Sequence, residues 1–193
     1  MKLTIRWVVV GLCSLAVCGL FLTSNITNAG SAAELKKKVL DLAALVKGGK
    51  EKAKDADKMA AAIAKKEGEV YYVMLLHKPS NKKGLGVGKG IVPDGIELKL
   101  RAMSRDLMST QKLKNEAEAL TNMAYNIKAI NMIAHKLPPR QALKAKEWLK
   151  YCTETDKACG ELVAAIKSGS TAEVKKAAAS INTNCNNCHS KFR

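Results

Sequence analysis

The sequence predicts an all-α protein, and three observations support that fold class. Apolar residues recur at intervals of three and four along most of the 193-residue chain, which is the period of an amphipathic helix. The alternation of apolar and polar residues that marks a β-strand is almost absent. Helix-ending residues also stand between the apolar stripes, at Gly48-Gly49, Pro138-Pro139 and Gly169.

Residues 1–29 are typical of a secretory signal peptide. Lys2 and Arg6 precede an apolar run from Trp7 to Leu22, and small and polar residues follow it, with a cleavage site predicted after Ala29. The run is at or below the roughly 17 to 25 residues that a membrane helix needs, so an uncleaved anchor is a weaker alternative. A lipoprotein signal at Cys18 is weaker still. We therefore expect an exported, periplasmic protein without stable membrane insertion after cleavage.

The remaining segment, residues 30–193, is long enough for one domain with a real core and too short for two. Removing the two signal cations from 33 Lys and Arg leaves 31, against 17 Asp and Glu, a balance of +14. Such a positive field favours acidic protein partners, anionic ligands or an anionic membrane surface. The predicted export argues against nucleic acid as a partner.

Five helical segments are predicted after the signal. The first ends at Gly48-Gly49, and the second runs from about residue 50 to residue 77. Asp94 and Glu97 have the spacing of a capping box and would begin the third, which continues to about residue 136 with a break near Ser109-Thr110. The fourth ends at Gly169.

A glycine-rich stretch, SNKKGLGVGKGIV, separates the second and third segments between Pro79 and Pro93. It lacks the Lys-Ser/Thr ending and the flanking strand of a phosphate-binding loop. We expect a surface loop that joins two long helices, with no role assigned to its Gly84–Gly90 portion.

The last helix is predicted to begin at Ser170 and Glu173, which again have capping-box spacing. Residues three and four apart then define the face that would turn toward the core. These residues are Val174, Ala178, Ile181, Cys185, Cys188 and Phe192.

The pentapeptide Cys185-Asn186-Asn187-Cys188-His189 carries the predicted chemistry. Two thiols at this spacing can add to the two vinyl groups of haem, and His189 can then bind the iron as the proximal ligand. A redox dithiol would need a βαβ context, and a zinc site would need a second nearby pair. Cys152 and Cys159 are separated by about 10 Å of helix rise, which is too far for a disulfide between them. We therefore predict one covalent haem c.

The final nine residues, CNNCHSKFR, resemble the C-terminal signature of class II c-type cytochromes, the cytochrome c′ family. This resemblance implies an up-down-up-down four-helix bundle and a homo- or heterodimer. An extra N-terminal helical segment over residues 32–49 and the long glycine-rich loop depart from the family pattern. By the same resemblance, Arg193 would lie near the proximal face or a haem propionate, with a solvated terminal cation as its alternative. Phe192 would pack against the haem or the core.

The opposite face of the iron is the open question. If the last two helices are antiparallel, His189 is level with about residue 150, which makes Cys152 a candidate distal ligand and a buried apolar cysteine its alternative. Met59 is a second candidate if the helix that carries it is antiparallel to the third segment. Cys159 is expected to be a core residue. His77, at the far end of the bundle, and His135, about ten residues from the level of the iron, are expected to be surface or capping residues.

We expect a monohaem cytochrome that binds a diatomic gas such as nitric oxide or carbon monoxide, transfers electrons, or does both. The family resemblance implies a distal site that is empty or blocked by an apolar side chain, and a six-coordinate electron shuttle with Cys152 or Met59 as ligand is the alternative. The basic surface would dock acidic redox partners. An enzyme is not expected, because no distal acid or base can be placed from the sequence.

Overall fold

The computed structural model describes residues 20–140 and 142–192, with side chains described from residue 32 onward except at 142 and 143. Over these residues it contains seven α-helices and no β-strand, so the all-α prediction is confirmed. Most of the predicted signal peptide, including Lys2, Arg6 and Cys18, lies outside the described residues, as does Arg193.

The seven helices are α1 (Leu20–Lys47), α2 (Ala53–Glu67), α3 (Val70–Met74), α4 (Ile96–Arg105), α5 (Thr110–His135), α6 (Ala142–Ser168) and α7 (Thr171–Phe192). Short 3-10 turns cover Gly49–Lys52, Leu75–His77 and Ser80–Lys82. None of the helices in the described ranges combines the length and the apolar character needed to cross a membrane. The chain divides into two compact units, Met1–Glu34 and Leu35–Arg193, and the packing described below is that of the second.

Most helix ends lie where the sequence predicts them. The helix α1 ends directly before Gly48-Gly49, α5 ends ahead of Pro138-Pro139, and α6 ends before Gly169, whose φ is 73°. The break predicted near residues 109 and 110 is also confirmed. There the Ser109 side chain accepts a hydrogen bond from the Lys112 backbone N–H at 3.2 Å and caps α5.

The second predicted segment is not one helix, and this part of the prediction is wrong. The helix α2 ends at Glu67, and Gly68 follows with φ 68° and its N–H bonded to the Ala64 carbonyl at 2.9 Å. Glycine adopts this left-handed conformation without a Cβ clash, so the chain can leave the helix here. Glu69 is then extended, and the chain resumes as the short helix α3. Apolar residues keep their helical spacing across Gly68, and this spacing favoured the prediction of one continuous helix.

The capping box predicted at Asp94 and Glu97 is also wrong. The N-cap position of α4 is Gly95, and no side chain caps it. The Asp94 carboxylate instead accepts hydrogen bonds from the backbone N–H groups of Ser80 and Val87, both at 2.9 Å, and from the Ser80 hydroxyl. Asp94 therefore connects two parts of the glycine-rich loop. Its carboxylate binds backbone N–H groups of the loop and does not cap the start of α4.

The helices of the second unit pack in a definite order. The helix α6 lies between α5 and α7, α4 lies against α7, and α2 and α3 pack against α5. The interior of this packing is fully buried and apolar. It includes Leu42, Ile63, Leu120, Leu162 and Ile181.

A buried lysine joins three parts of this structure. Lys99 is only 2% exposed, and its Nζ donates hydrogen bonds to the Glu116 carboxylate at 2.6 Å and to the Val92 carbonyl at 3.1 Å. The contacts connect α4 with α5 and with the end of the glycine-rich loop. Since α4 lies against α7, this ion pair fixes one wall beside the helix that carries the cysteine motif.

Candidate haem-binding site

The motif residues occupy the last two turns of α7. Ser170 begins this helix by accepting a hydrogen bond from the Glu173 N–H at 3.3 Å, as the sequence predicts. The predicted stripe is fully buried at Val174, Ala178 and Ile181 and half-buried at Cys185, Cys188 and Phe192. His189 is exposed. The two motif thiols therefore lie at the edge of the core.

The helices α6 and α7 are antiparallel, with the register that the sequence predicts. The Lys191 Nζ lies 2.5 Å from a carboxylate oxygen of Glu147. At the next residue of each helix, the rings of Trp148 and Phe192 meet edge to face with centroids 5.3 Å apart. His189 is consequently level with about residue 150, as predicted from the helix rise.

One side of the motif faces a small apolar cluster, which we call the Trp148 cluster. Its buried members are Ala134, Trp148 and Cys152. The Trp148 Nε1 donates a hydrogen bond to the Ala134 carbonyl at 2.9 Å, so the polar atom of the indole is satisfied inside the apolar surroundings. The half-buried residues packed against the cluster are Val70, Met74, Leu149, Cys188 and Phe192.

Burial keeps the thiols of this region neutral. It raises the pKa of Cys185 to about 11, with smaller contributions from the nearby Cys188 and Glu97. Burial also raises the pKa of Cys188. None of the four cysteines in the described residues forms a disulfide, and the raised pKa values of Cys185 and Cys188 favour the protonated thiol. This is the form that can add S–H across a carbon–carbon double bond without an external oxidant.

The two remaining described cysteines differ in position. Cys159 is fully buried in the large core, as predicted, and burial raises its pKa. Cys152 belongs to the Trp148 cluster, where burial and then the neighbouring Cys188 raise its pKa to about 12. Cys152 therefore lies beside the motif residue Cys188, as a distal ligand would have to. Its raised pKa favours the protonated thiol over the thiolate that binds iron.

The prediction for Met59 rested on a single long second helix, which the structure does not contain. Met59 packs against the large core, and Met74, which follows the break at Gly68, is the methionine of the Trp148 cluster. Arg193, the remaining predicted site residue, lies outside the described residues.

His77 caps the end of α3 as predicted, because its Nδ1 lies 3.2 Å from the Met74 carbonyl oxygen, but the prediction that it lies far from the motif is wrong. His77 is half-buried and lies close to His189, whose charge lowers the pKa of His77 after the larger effect of burial. The Met74 carbonyl and Glu97 act in the opposite direction on the same pKa. The break at Gly68 turns the chain so that α3 and its following turn lie at the end of α7. Gly68 was the signal in the sequence that pointed to this rearrangement.

His135 is exposed, as predicted, but its expected distance from the motif is also wrong. It directly follows Ala134, which contacts Trp148 and so lies at the same end of α6 and α7 as the motif. All three histidines of the chain therefore occupy one end of the packing.

An open cavity of about 310 Å³ adjoins this end of α7. Apolar side chains and two lysines line it, namely Val70, Leu137, Pro139, Trp148, Phe192, Lys144 and Lys191. An apolar wall with cations at its rim suits an apolar group with anionic substituents. Lys191 and Phe192 of α7 line this cavity, whereas Cys185, Cys188 and His189 do not.

The chemistry of the donor set therefore fits a covalent haem: two neutral thiols three residues apart, an adjacent imidazole, and apolar surroundings with basic edges. In this arrangement Cys185 and Cys188 would hold the group and His189 would bind its iron. Comparison of the chain with protein-family profiles, with curated proteins and with solved structures finds no significant match in any of the three.

Proposed function

We propose that this protein is an exported class II c-type cytochrome with one covalent haem, acting in electron transfer, in diatomic gas binding, or in both. The observation that carries the proposal is the position of the two motif thiols, which lie on one face of α7 at the edge of the core and are followed directly by His189. We also propose that α4 to α7 form an up-down-up-down four-helix bundle. The packing of α6 between α5 and α7 and of α4 against α7 supports three of the four neighbouring pairs in such a bundle. The fourth pair, α4 and α5, is joined by the ion pair between Lys99 and Glu116.

The chain's own residues would supply attachment, orientation and partial exclusion of water. Cys185 and Cys188 would each form one C–S bond to a vinyl group, with the thiol hydrogen transferred to the neighbouring vinyl carbon, so that atoms and electrons balance. The bound group supplies one-electron exchange at its iron and a coordination position for a small ligand. The Trp148 cluster provides a dry apolar wall, and the lysines at the cavity rim provide positive charge for propionates.

Electron transfer is supported by the strongly basic composition of residues 30–193, whose 31 Lys and Arg against 17 Asp and Glu give a balance of +14. Such a field accelerates encounter with acidic partners and is screened by salt. We expect the rate of reduction by an acidic redox protein to fall as ionic strength rises. A rate that is independent of salt would contradict docking through the basic surface.

Gas binding is the second candidate, and the Trp148 cluster is the observation that favours it. An apolar wall beside the iron suits an uncharged diatomic ligand better than water. Absorption spectra of the reduced protein before and after carbon monoxide would test this function. A prompt spectral shift supports an accessible distal site, and no shift favours a shuttle with a second protein ligand.

The test of haem attachment is expression of the full chain together with a bacterial cytochrome c maturation system. We expect haem that stays with the chain after denaturation and a pyridine haemochrome spectrum with two thioether bonds. Cys185→Ala and Cys188→Ala should each lose one thioether bond, whereas Cys152→Ala and Cys159→Ala should keep both. An exported chain without covalent haem, from cells that mature a control cytochrome normally, would overturn the proposal.

A further inference from the structure

We propose that His77 is the distal ligand, binding the haem iron through Nε2 on the face opposite His189. The inference rests on the proposed haem attachment and deepens it, because it assigns the coordination position that the sequence left open. It replaces Cys152 and Met59 as the candidates for that position. A six-coordinate iron with two imidazole ligands favours electron transfer over gas binding.

The fold brings His77 to the motif from a distant part of the sequence. The preceding helix α3 packs Val70 and Met74 against the Trp148 cluster, which Cys188 and Phe192 also contact. The turn that carries His77 is held from its other side as well, because the Leu76 carbonyl accepts a hydrogen bond from the Leu85 N–H at 2.9 Å. His77 is therefore positioned by the core and by the glycine-rich loop together.

The hydrogen bonding of His77 leaves one ring nitrogen available for a metal. Its Nδ1 lies 3.2 Å from the Met74 carbonyl oxygen, which can only accept, so Nδ1 carries the proton. The lone pair is then on Nε2, which has no hydrogen-bond partner among the described residues. Metal-binding histidines usually donate their other ring N–H in this way, which fixes the tautomer and the ring orientation.

The other candidate ligands at this end of the fold lack an oriented donor atom that is left open. Cys152 is buried inside the Trp148 cluster with Ala134 and Trp148. Met74 also lies near the motif, but only apolar packing holds its flexible thioether, and no hydrogen bond from the described residues orients it toward the iron.

The test uses the matured holoprotein and its His77→Ala variant, with His135→Ala as the matched control at the same end of the fold. For the wild type we expect a six-coordinate low-spin spectrum in both oxidation states, and slow carbon monoxide binding because His77 must leave first. His77→Ala should give a high-spin spectrum and prompt carbon monoxide binding. His135→Ala should match the wild type, and added imidazole should restore the low-spin spectrum of His77→Ala.

Two further measurements keep the outcome decisive. His77→Met, which retains a ligand and the side-chain volume, should remain low-spin with a raised reduction potential, as expected for methionine and histidine ligation. A wild-type protein that carries covalent haem but is five-coordinate overturns the His77 proposal alone, whether or not the variants fold. So does a low-spin spectrum that survives in folded His77→Ala. Absence of covalent haem from the wild type would instead overturn the proposed function.

Discussion

Replacing Lys99 by methionine tests whether the buried ion pair holds α4 in place. The pair joins Lys99, 2% exposed, to Glu116, 12% exposed, at 2.6 Å. Methionine keeps most of the side-chain volume but leaves the Glu116 carboxylate without its cation and the Val92 carbonyl without its donor. Breaking one side of a buried pair costs about 3 to 5 kcal/mol, and the small exposure of Glu116 puts the expected loss near about 3 kcal/mol. For a chain of this size that corresponds to about 6 to 12 °C in Tm.

The matched control lies two residues further along the same helix. Arg101 and Glu97 form an ion pair at 3.0 Å with both side chains more than half exposed, so Arg101→Ala should cost under about 0.5 kcal/mol. Urea unfolding followed by helical circular dichroism gives both free energies. The double variant Lys99→Met with Glu116→Leu should regain much of the loss, since no unpaired charge remains buried. The reasoning is refuted if Lys99→Met unfolds within about 0.5 kcal/mol of the wild type.

Three further predictions concern local features. Gly68→Ala should lower the free energy of unfolding by about 1 kcal/mol because φ is 68° there, although its Cβ would meet nothing within 4 Å. Gly160→Ala, in the exposed interior of α6 with equally open space, should raise it by about 1 kcal/mol; equal effects at the two sites would contradict the backbone argument. Folding raises the pKa of the Cys152 thiol from 9.0 to about 12, so the folded state keeps this proton more tightly than the unfolded state. The free energy of unfolding should therefore be unchanged below pH 9 and should fall between pH 9 and pH 12 by up to about 1.4 kcal/mol per pH unit. The fall should be less steep in Cys152→Ala. The Ser80 hydrogen bonds lower the pKa of Asp94, so its support of the loop is present above pH 3.8 and lost as pH falls. Asp94→Ala should therefore speed hydrogen exchange at the Val87 amide at neutral pH, and unchanged exchange would exclude this role.

The helix ends of this protein depend mainly on residues close in sequence, which is why they could be predicted. Ser109 caps through a hydrogen bond to the third residue after it, and Gly169 ends a helix by its own backbone conformation. The same applies to the motif, since Cys185, Cys188 and His189 acquire their common placement from the helix period alone. The break at Gly68 was equally local, but the apolar stripe that continued across it favoured one long helix.

Contacts between distant residues could not be predicted in this way. Asp94 had a plausible local partner in the helix start, yet it binds Ser80 and Val87, because the loop returns to it in three dimensions. Lys99 is buried only because Glu116 and the Val92 carbonyl meet it there. A sequence pattern identifies groups that can pair, and the fold decides which of them do so.

The sequence by itself determined the helical class, the CxxCH motif, the core-facing stripe of α7 and the register of Cys152 beside it, because each follows from helix geometry over one or two elements. Only the tertiary structure decided that His77, more than one hundred residues before the motif, lies near enough to His189 for the two charges to interact. That proximity depends on a turn at Gly68 and on the packing of α3 against the Trp148 cluster. Such long-range packing is set by the fit of several surfaces at once, which no local spacing encodes.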